Sequence, residues 1–438
     1  LELNDAAARL PKVAVLQYRG FGAASNVSCH CVDCLRSKRP AQGAFDRHSL
    51  EHGGWKMGWR ESLNRATGPG ITLGITTGDW LTLLAQNGFK LPPRSWARVA
   101  FSTAVSLANT PWYWLVESTT FRSVARQTVQ PPLFILGHWR SGTTYLHNLL
   151  SVDPRFAYPT FAQIMIPKTF LTGERVLWAA SRLLLPRDRM GIDGIKMSPD
   201  VPWEEEFALG IMTLLSPYMF WQFPNRLAHY ERYLTFRDVP ARELEIWKAA
   251  FVTFLKKLTW KYQRPLIMKS PPNTCRIKLI LEMFPDARFV NIHRDPYVVY
   301  QSTRHLHQKS WDFCALQTPP GPAELHDQVM RQYRIITDAF FEEKHLIPAD
   351  RYCEVAYADL ERDPIGLLRG VYEKLSLPDF SVVEQQVKDY IATLGHYKKN
   401  KHIELPGEVR DQISREWRRS FDEWKYPISE SQPALAAT

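Results

Sequence analysis

Cysteine is scarce in this chain, with six among 438 residues, and that density excludes a disulfide-built scaffold. Cys275, Cys314 and Cys353 stand alone in apolar or loop contexts and read as reduced structural thiols. Cys29, Cys31 and Cys34, in SCHCVDC with His30 beside them, lack the two-pair CxxC…CxxC arrangement of a structural zinc site and read as incidental cysteines of a tail. Long hydrophobic runs are also missing. Val99–Val116 and Phe207–Pro224 are uncharged over a membrane-spanning length, but each is interrupted by Pro and by hydroxyl or amide side chains. Both therefore read as buried or interfacial helices, and the Trp112-Tyr113-Trp114 cluster keeps a peripheral membrane contact open. The start lacks a basic segment followed by an apolar one, as a secretory signal would have. A cytoplasmic chain, membrane-associated at most, is the expectation. The chain begins with Leu, and Met57 reads as a candidate start.

Charge is unbalanced, with 55 Lys and Arg against 45 Asp and Glu, a net +10 and a pI near 9.2. That excess favours anionic partners. No basic run is dense enough to favour nucleic acid, and none is expected as a partner.

No internal repeat is visible. Residues 1–56 lack sustained periodicity and read as a disordered tail or a misassigned start. Residues 57–128 read as a helical N-terminal extension, with helices at Asp79–Asn87 and Arg94–Leu107. Pro131-Pro132 then punctuates the chain, and 129–430 reads as one α/β domain. Its strands are LFIL (Leu133–Leu136), LIM (Leu266–Met268), RFVNI (Arg288–Ile292) and YCEVA (Tyr352–Ala356), each followed by a polar turn and a helix. Residues 160–262 are a large helical insertion. In it Leu244, Trp247, Phe251, Leu255 and Leu258 recur at helical spacing after the start signals Asp238 and Pro240. The expected fold is a P-loop-like parallel β-sheet flanked by helices, with function at the strands' carboxyl ends.

One stretch, FILGHWRSGTTYLHNLL, carries the chemistry. Gly137 and Gly142 frame a loop that leaves a strand and opens a helix, where amides and the helix dipole favour an anion. An ATP-binding P-loop carries Lys after its second Gly; here Thr143 stands there and the cation is Arg140. Ser141, Thr143 and Thr144 add hydroxyls. A second basic strand end occurs in VNIHRDPYVVYQSTRHL. Arg294 follows the strand, Asp295-Pro296 opens a helix, and Ser302 lies roughly two turns along it, on a side that can face a second phosphate.

FILGHWRSGTTYLHNLL resembles the 5′-phosphosulfate loop of sulfotransferases, and RFVNIHRDPYVVYQST resembles their 3′-phosphate segment. PLIMKSPPNTCRIKLILEMFPDA and VAYADLERDP are similar to the same family, so the resemblance runs from about Pro131 to Pro427 and is nearest the bacterial branch with PRSGTT-type loops. It departs at His138-Trp139, where Pro often precedes the Arg, and at Gln163, near a position that is often acidic.

The resemblance implies transfer of a sulfonate from 3′-phosphoadenosine 5′-phosphosulfate (PAPS) to a hydroxyl or amine, with no metal expected. Arg140, Ser141, Gly142, Thr143 and Thr144 would hold the 5′ end, and Arg294 and Ser302 the 3′-phosphate. Tyr357 and HYKKNKH (His396–His402) are candidates for closing over the nucleotide. Charge grows on the leaving phosphate oxygen, so cations there stabilise the transition state more than the ground state. Arg140 is one, and Lys269, directly after LIM, is the other. A general base is also required. The run PWEEEF, similar to a Pro-x-Glu element of the family, points to Glu204 first and Glu206 second, with His138 and His147 as rivals. Aromatic-rich helices between 170 and 260 suggest a partly apolar, hydroxyl-bearing acceptor. Two other classes stay open: a P-loop kinase or NTPase, and a catalytically inactive PAPS-binding protein, which Gln163 keeps in play.

Overall fold

The computed structural model describes residues 70–184, 198–394 and 405–428, all within the unit Trp59–Thr438. The tail expected at 1–56 and the segment HYKKNKH lie outside the described residues. Four short strands form one sheet: β1 (Leu133–Leu136), β2 (Ile267–Lys269), β3 (Arg288–His293) and β4 (Tyr352–Ala356). Their order is β2-β1-β3-β4, and every pairing is parallel. The second strand sits one residue later than LIM. Lys269 is therefore its last residue, opposite Ile135, and not the residue after it.

Parallel sheets are covered on both faces, and the period-2 side-chain alternation shows it here. Leu133 and Ile135 point into one core with Ile267, Val290 and Val355. That face is covered by α3 (Thr143–Leu150) and by helices near the C-terminus. Phe134 and Leu136 point into the larger core with Met268 and Phe289. There Phe134 stacks on Phe289 at 5.7 Å and meets Phe251 edge-on at 6.2 Å.

The insertion between β1 and β2 is helical. α4 (Phe161–Met165), α5 (Phe170–Leu184), α6 (Glu205–Thr213) and α7 (Ala241–Tyr262) are its main elements. α7 starts after Pro240 and buries Trp247, Phe251, Leu255 and Leu258 of the predicted set, with Phe254 beside them, whereas Leu244 is only partly buried. After β3 come α8 (Pro296–Cys314) and α9 (Pro322–Glu343), and β4 runs directly into α10 (Tyr357–Arg362).

Among the described residues three α-helices precede the sheet, the last of them the short Phe121–Ala125. α1 (Thr77–Gln86) sends Trp80, Leu83 and Leu84 into the larger core. α2 (Trp96–Pro111) begins two residues later than predicted, because Pro93–Ser95 forms a 3-10 turn. It also extends to Pro111 and continues into a π-helical turn, Trp112–Val116. Among the described residues no helix is long and apolar enough to cross a membrane.

Phe134 joins the central strand to both neighbours in the larger core. Phe134→Ala is expected to cost about 3–5 kcal/mol, read as a lowered midpoint in urea unfolding followed by circular dichroism.

Candidate active site

The loop between β1 and α3 is shaped by two glycines. Gly137 has φ +140°, and a Cβ there would lie 2.4 Å from the Ile292 carbonyl oxygen and 2.7 Å from Ser141 Oγ. Gly142 has φ +104° and caps α3, and a Cβ there would lie 2.2 Å from the Tyr357 ring. Arg140 is also left-handed, at φ +69°, which is unfavourable for a side chain with a Cβ and clusters at functional sites. Both its side chain and its carbonyl are held. Its Nε donates to Ser302 Oγ at 2.7 Å, and its carbonyl accepts from Arg294 Nη1 at 3.3 Å. Both predicted anion sites therefore meet at one sheet edge. The first helical hydrogen bond of α3 runs from Leu146 to Gly142, so the amides of Thr143, Thr144 and Tyr145 precede the helical ladder, as an anion cradle requires.

The hydroxyls of the loop divide. Ser141 is buried and donates to the His138 carbonyl at 2.8 Å, tying the turn internally. Thr143 is buried against Gly137. Thr144 is half-buried and accepts from Lys269 Nζ at 3.4 Å. Tyr357 lies under the Arg294 guanidinium, 4.2 Å from its ring centroid.

Lys269 is the hinge of the site. Its ammonium, with the side chain only 3% exposed, lies 2.5 Å from Glu204 Oε1. The other oxygen of Glu204 accepts from Tyr218 Oη, and Tyr218 Oη in turn accepts from Trp139 Nε1, inside the anion loop, at 3.1 Å. The contacts thus close a circuit from the loop through Tyr218, Glu204 and Lys269 back to Thr144.

The three successive glutamates take three partners. Glu204, at the N-cap of α6, is partly exposed and faces Lys269. Glu205 is fully buried and accepts from the Lys269 amide and from Asn273 Nδ2. Burial pushes its carboxyl up to about 7. Glu206, expected as a second candidate base, is fully buried and paired at 2.6 Å with Arg276, itself fully buried. An acceptor cannot reach it there. The three diverge because Glu204 is still extended, whereas Glu205 and Glu206 lie a helical step of about 100° apart.

The histidine rivals are turned inward. Burial lowers His138 to about 4, and its Nδ1 bonds the Trp139 carbonyl. His147 is fully buried and held well below its ordinary value by burial, with the Lys269 charge adding to that. Gln163 forms a capping box with Thr160 and donates to Tyr262 Oη at 2.6 Å. Its amide serves the start of α4, so it says nothing about a lost base. Cys275 and Cys314 are buried free thiols, pushed up to about 12 by burial. Among the described residues no cluster of three His, Cys, Asp or Glu is placed to hold a metal ion. Tyr218, Trp139 and Arg276 belong to the site without having been expected. Tyr218 falls within the aromatic-rich stretch expected on the acceptor side, but nothing in its spacing points to a carboxylate partner.

A parallel sheet whose first strand opens into a Gly-framed anion loop, with one lysine and two arginines at its carboxyl edge, defines a P-loop-like group-transfer protein. The chain belongs to the sulfotransferase family: residues 131–381 match the model described as "Sulfotransferase family". It is 35% identical over 366 residues to the omega-hydroxy-beta-dihydromenaquinone-9 sulfotransferases Stf3 of Mycobacterium bovis and Mycobacterium tuberculosis, covering 83% of this chain and 93% of theirs. Two solved structures share the fold. Sulfotransferase STF9 from Mycobacterium avium has TM-score 0.58 and 19% identity over 82% of this chain and 98% of its own. Sulfotransferase STF1 from Mycobacterium tuberculosis has TM-score 0.59 and 17% identity over 78% and 91%. The protein is thus a sulfotransferase, and the kinase or NTPase class is set aside.

Glu205 gives a pH signature. Its folded pKa of about 7 stands above the ordinary 4.5, so the folded state binds the proton more tightly. The resulting stabilisation is complete below the ordinary value and is lost as pH rises through about 7. Wild type is expected to lose unfolding free energy, on the order of 3 kcal/mol, between about pH 5 and pH 8 relative to Glu205→Gln. Parallel pH profiles from denaturant titrations of the two proteins would refute this origin.

Proposed function

We propose that the protein transfers a sulfonate from PAPS to a hydroxyl on a lipophilic acceptor of the polyprenyl-quinone kind, with Glu204 as the general base. One observation carries this reading: the Lys269 ammonium touches both Glu204 and Thr144 of the anion loop, so base and leaving-group cation share one point. Arg140 and the first amides of α3 would hold the 5′-phosphosulfate. Arg294 and Ser302 would hold the 3′-phosphate, with Tyr357 alongside. The acceptor hydroxyl gives its proton to Glu204 as its oxygen bonds to sulfur. The bond from sulfur to the 5′-phosphate oxygen breaks, and adenosine 3′,5′-bisphosphate leaves with the charge against Arg140 and Lys269. Tyr218, donating to Glu204, orients that carboxylate.

The acceptor class is supported by two features. Half-buried Phe161, Trp203 and Phe207 flank Glu204, with Phe161 and Trp203 edge-on at 4.8 Å and Phe207 4.7 Å from the Tyr218 ring. The relatives at 35% identity are named for a hydroxylated menaquinone. An acceptor of that kind resides in a bilayer, and the enzyme must meet it at a membrane surface.

Calorimetry without metal is expected to show tight binding of adenosine 3′,5′-bisphosphate and much weaker binding of ADP and ATP. Preference for ATP would remove the donor assignment. Arg140→Ala and Lys269→Ala are each expected to lower kcat by about 10²–10³-fold, whereas Arg294→Ala mainly weakens nucleotide binding. Tyr218→Phe should lower kcat several-fold in steady-state kinetics with little change in nucleotide binding, because Glu204 loses the hydroxyl that orients it. Full turnover by Glu204→Gln would rule that carboxylate out as the base.

A further inference from the structure

Helix α2 is built inside out. Its buried residues are Arg98, Ser102 and Ser106, the polar ones, and its inward face is fixed by hydrogen bonds. Arg98 donates to the Ala315 carbonyl just past the end of α8, at 3.2 Å. Ser95, before the first turn, donates to the Leu316 carbonyl at 2.7 Å. Asn109 donates to the Leu73 carbonyl at 2.7 Å, and Trp80 of α1 donates to Thr103 at 2.9 Å.

The outward face is apolar. Trp96 is 62% exposed, Leu107 59%, Trp114 62%, Leu115 74%, Val116 41% and Phe121 38%. The alanines at 100, 104 and 108 and Pro111 continue the same exposed stripe at helical spacing. From Trp96 to Leu115 that is about 30 Å of helix. A helix of a globular protein normally turns such a face to the core, and a contiguous apolar stripe left outside marks an interaction surface.

Charge selects the occupant. Between Arg94 and Gln130 the one carboxylate is Glu117, which is fully buried and paired with Lys257 at 2.8 Å. Arg94 at one end of the stripe and Arg122 and Arg126 at the other are exposed. An apolar stripe with tryptophans, arginines at both ends and no exposed acid fits a bilayer surface with anionic headgroups. Glu117 also accepts from the Thr172 amide at 3.1 Å and from Thr172 Oγ1 at 2.6 Å. The π-helical turn carrying Trp114 and Leu115 is thereby tied to α5 and, through Lys257, to α7. The turn is fixed to the body of the enzyme, so its apolar residues need no rearrangement to be presented.

Resting on the acceptor class above for what the membrane delivers, we propose that the outer face of α2 and the following turn, Trp96–Phe121, docks the enzyme on an anionic lipid bilayer. The full chain should float with phosphatidylglycerol–phosphatidylcholine vesicles in a density gradient. Trp114→Ser and Leu115→Ser should each weaken that binding at least about tenfold, while Val382→Ser, an equally exposed apolar site elsewhere (64% exposed), should leave it intact. Leu115→Ser should retain wild-type turnover of a short water-soluble alcohol and lose turnover of a hydroxylated polyprenyl acceptor held in vesicles. Failure of the full chain to float, or equal loss in Val382→Ser, would overturn the docking face. So would a wild-type dimer in sedimentation velocity that Leu115→Ser dissolves, since the occupant would then be a second copy. If the acceptor class alone is wrong, vesicle binding persists without turnover of polyprenyl alcohols.

Discussion

A lysine ammonium held almost out of solvent at the end of a buried strand is tolerable only if something neutralises it. In this sulfotransferase that requirement organises the site. Lys269 ends β2 and lies 2.5 Å from a carboxylate that reaches it from the helical insertion, and it touches the first turn of α3 through Thr144. Three parts of the fold, far apart in sequence, are brought together around one charge. The same strand end recruits the next two acids for other purposes. Glu205 accepts from the Lys269 amide, and Glu206 pairs with Arg276. Removing one partner of a fully buried pair leaves the other charge stranded, so the Arg276 pair anchors the start of α6 and thereby the aim of Glu204.

Much of the frame was legible in the residues. Short apolar runs ending in polar turns marked all four strands, because a buried parallel strand has few other ways to be written. The Gly-framed loop and Arg294 stood out because anion cradles at strand ends draw on few residue types. The roles inside the site were less legible. Ser302 was expected to face a second phosphate, yet in the structure its hydroxyl accepts from Arg140 of the first loop. Gln163 departs from an often acidic position, but it serves a helix cap. Tyr218 carries no local mark of its contact with Glu204. These are matters of side-chain direction at long sequence separation, which periodicity does not encode.

Helix α2 shows the opposite failure. Its composition invites burial of Trp96, Leu107 and the alanines, and local pattern alone would rotate it by half a turn. The carbonyls of Asp312, in the last turn of α8, and of Ala315, just past it, decide otherwise, because they need donors and the Arg98 guanidinium supplies them. Satisfying buried polar groups outweighed hiding apolar ones.

The meeting of Gly142 and Tyr357 has a consequence for how such a site can change over generations. The phenol ring occupies the volume that a methyl group on Gly142 would need, and it also lies against the Arg294 guanidinium. Neither position can drift alone. A side chain at 142 demands a smaller neighbour at 357, which would leave the Arg294 guanidinium without its platform. The two residues, over two hundred positions apart in the chain, form a single inherited character, and a lineage that altered one would carry a matching alteration in the other.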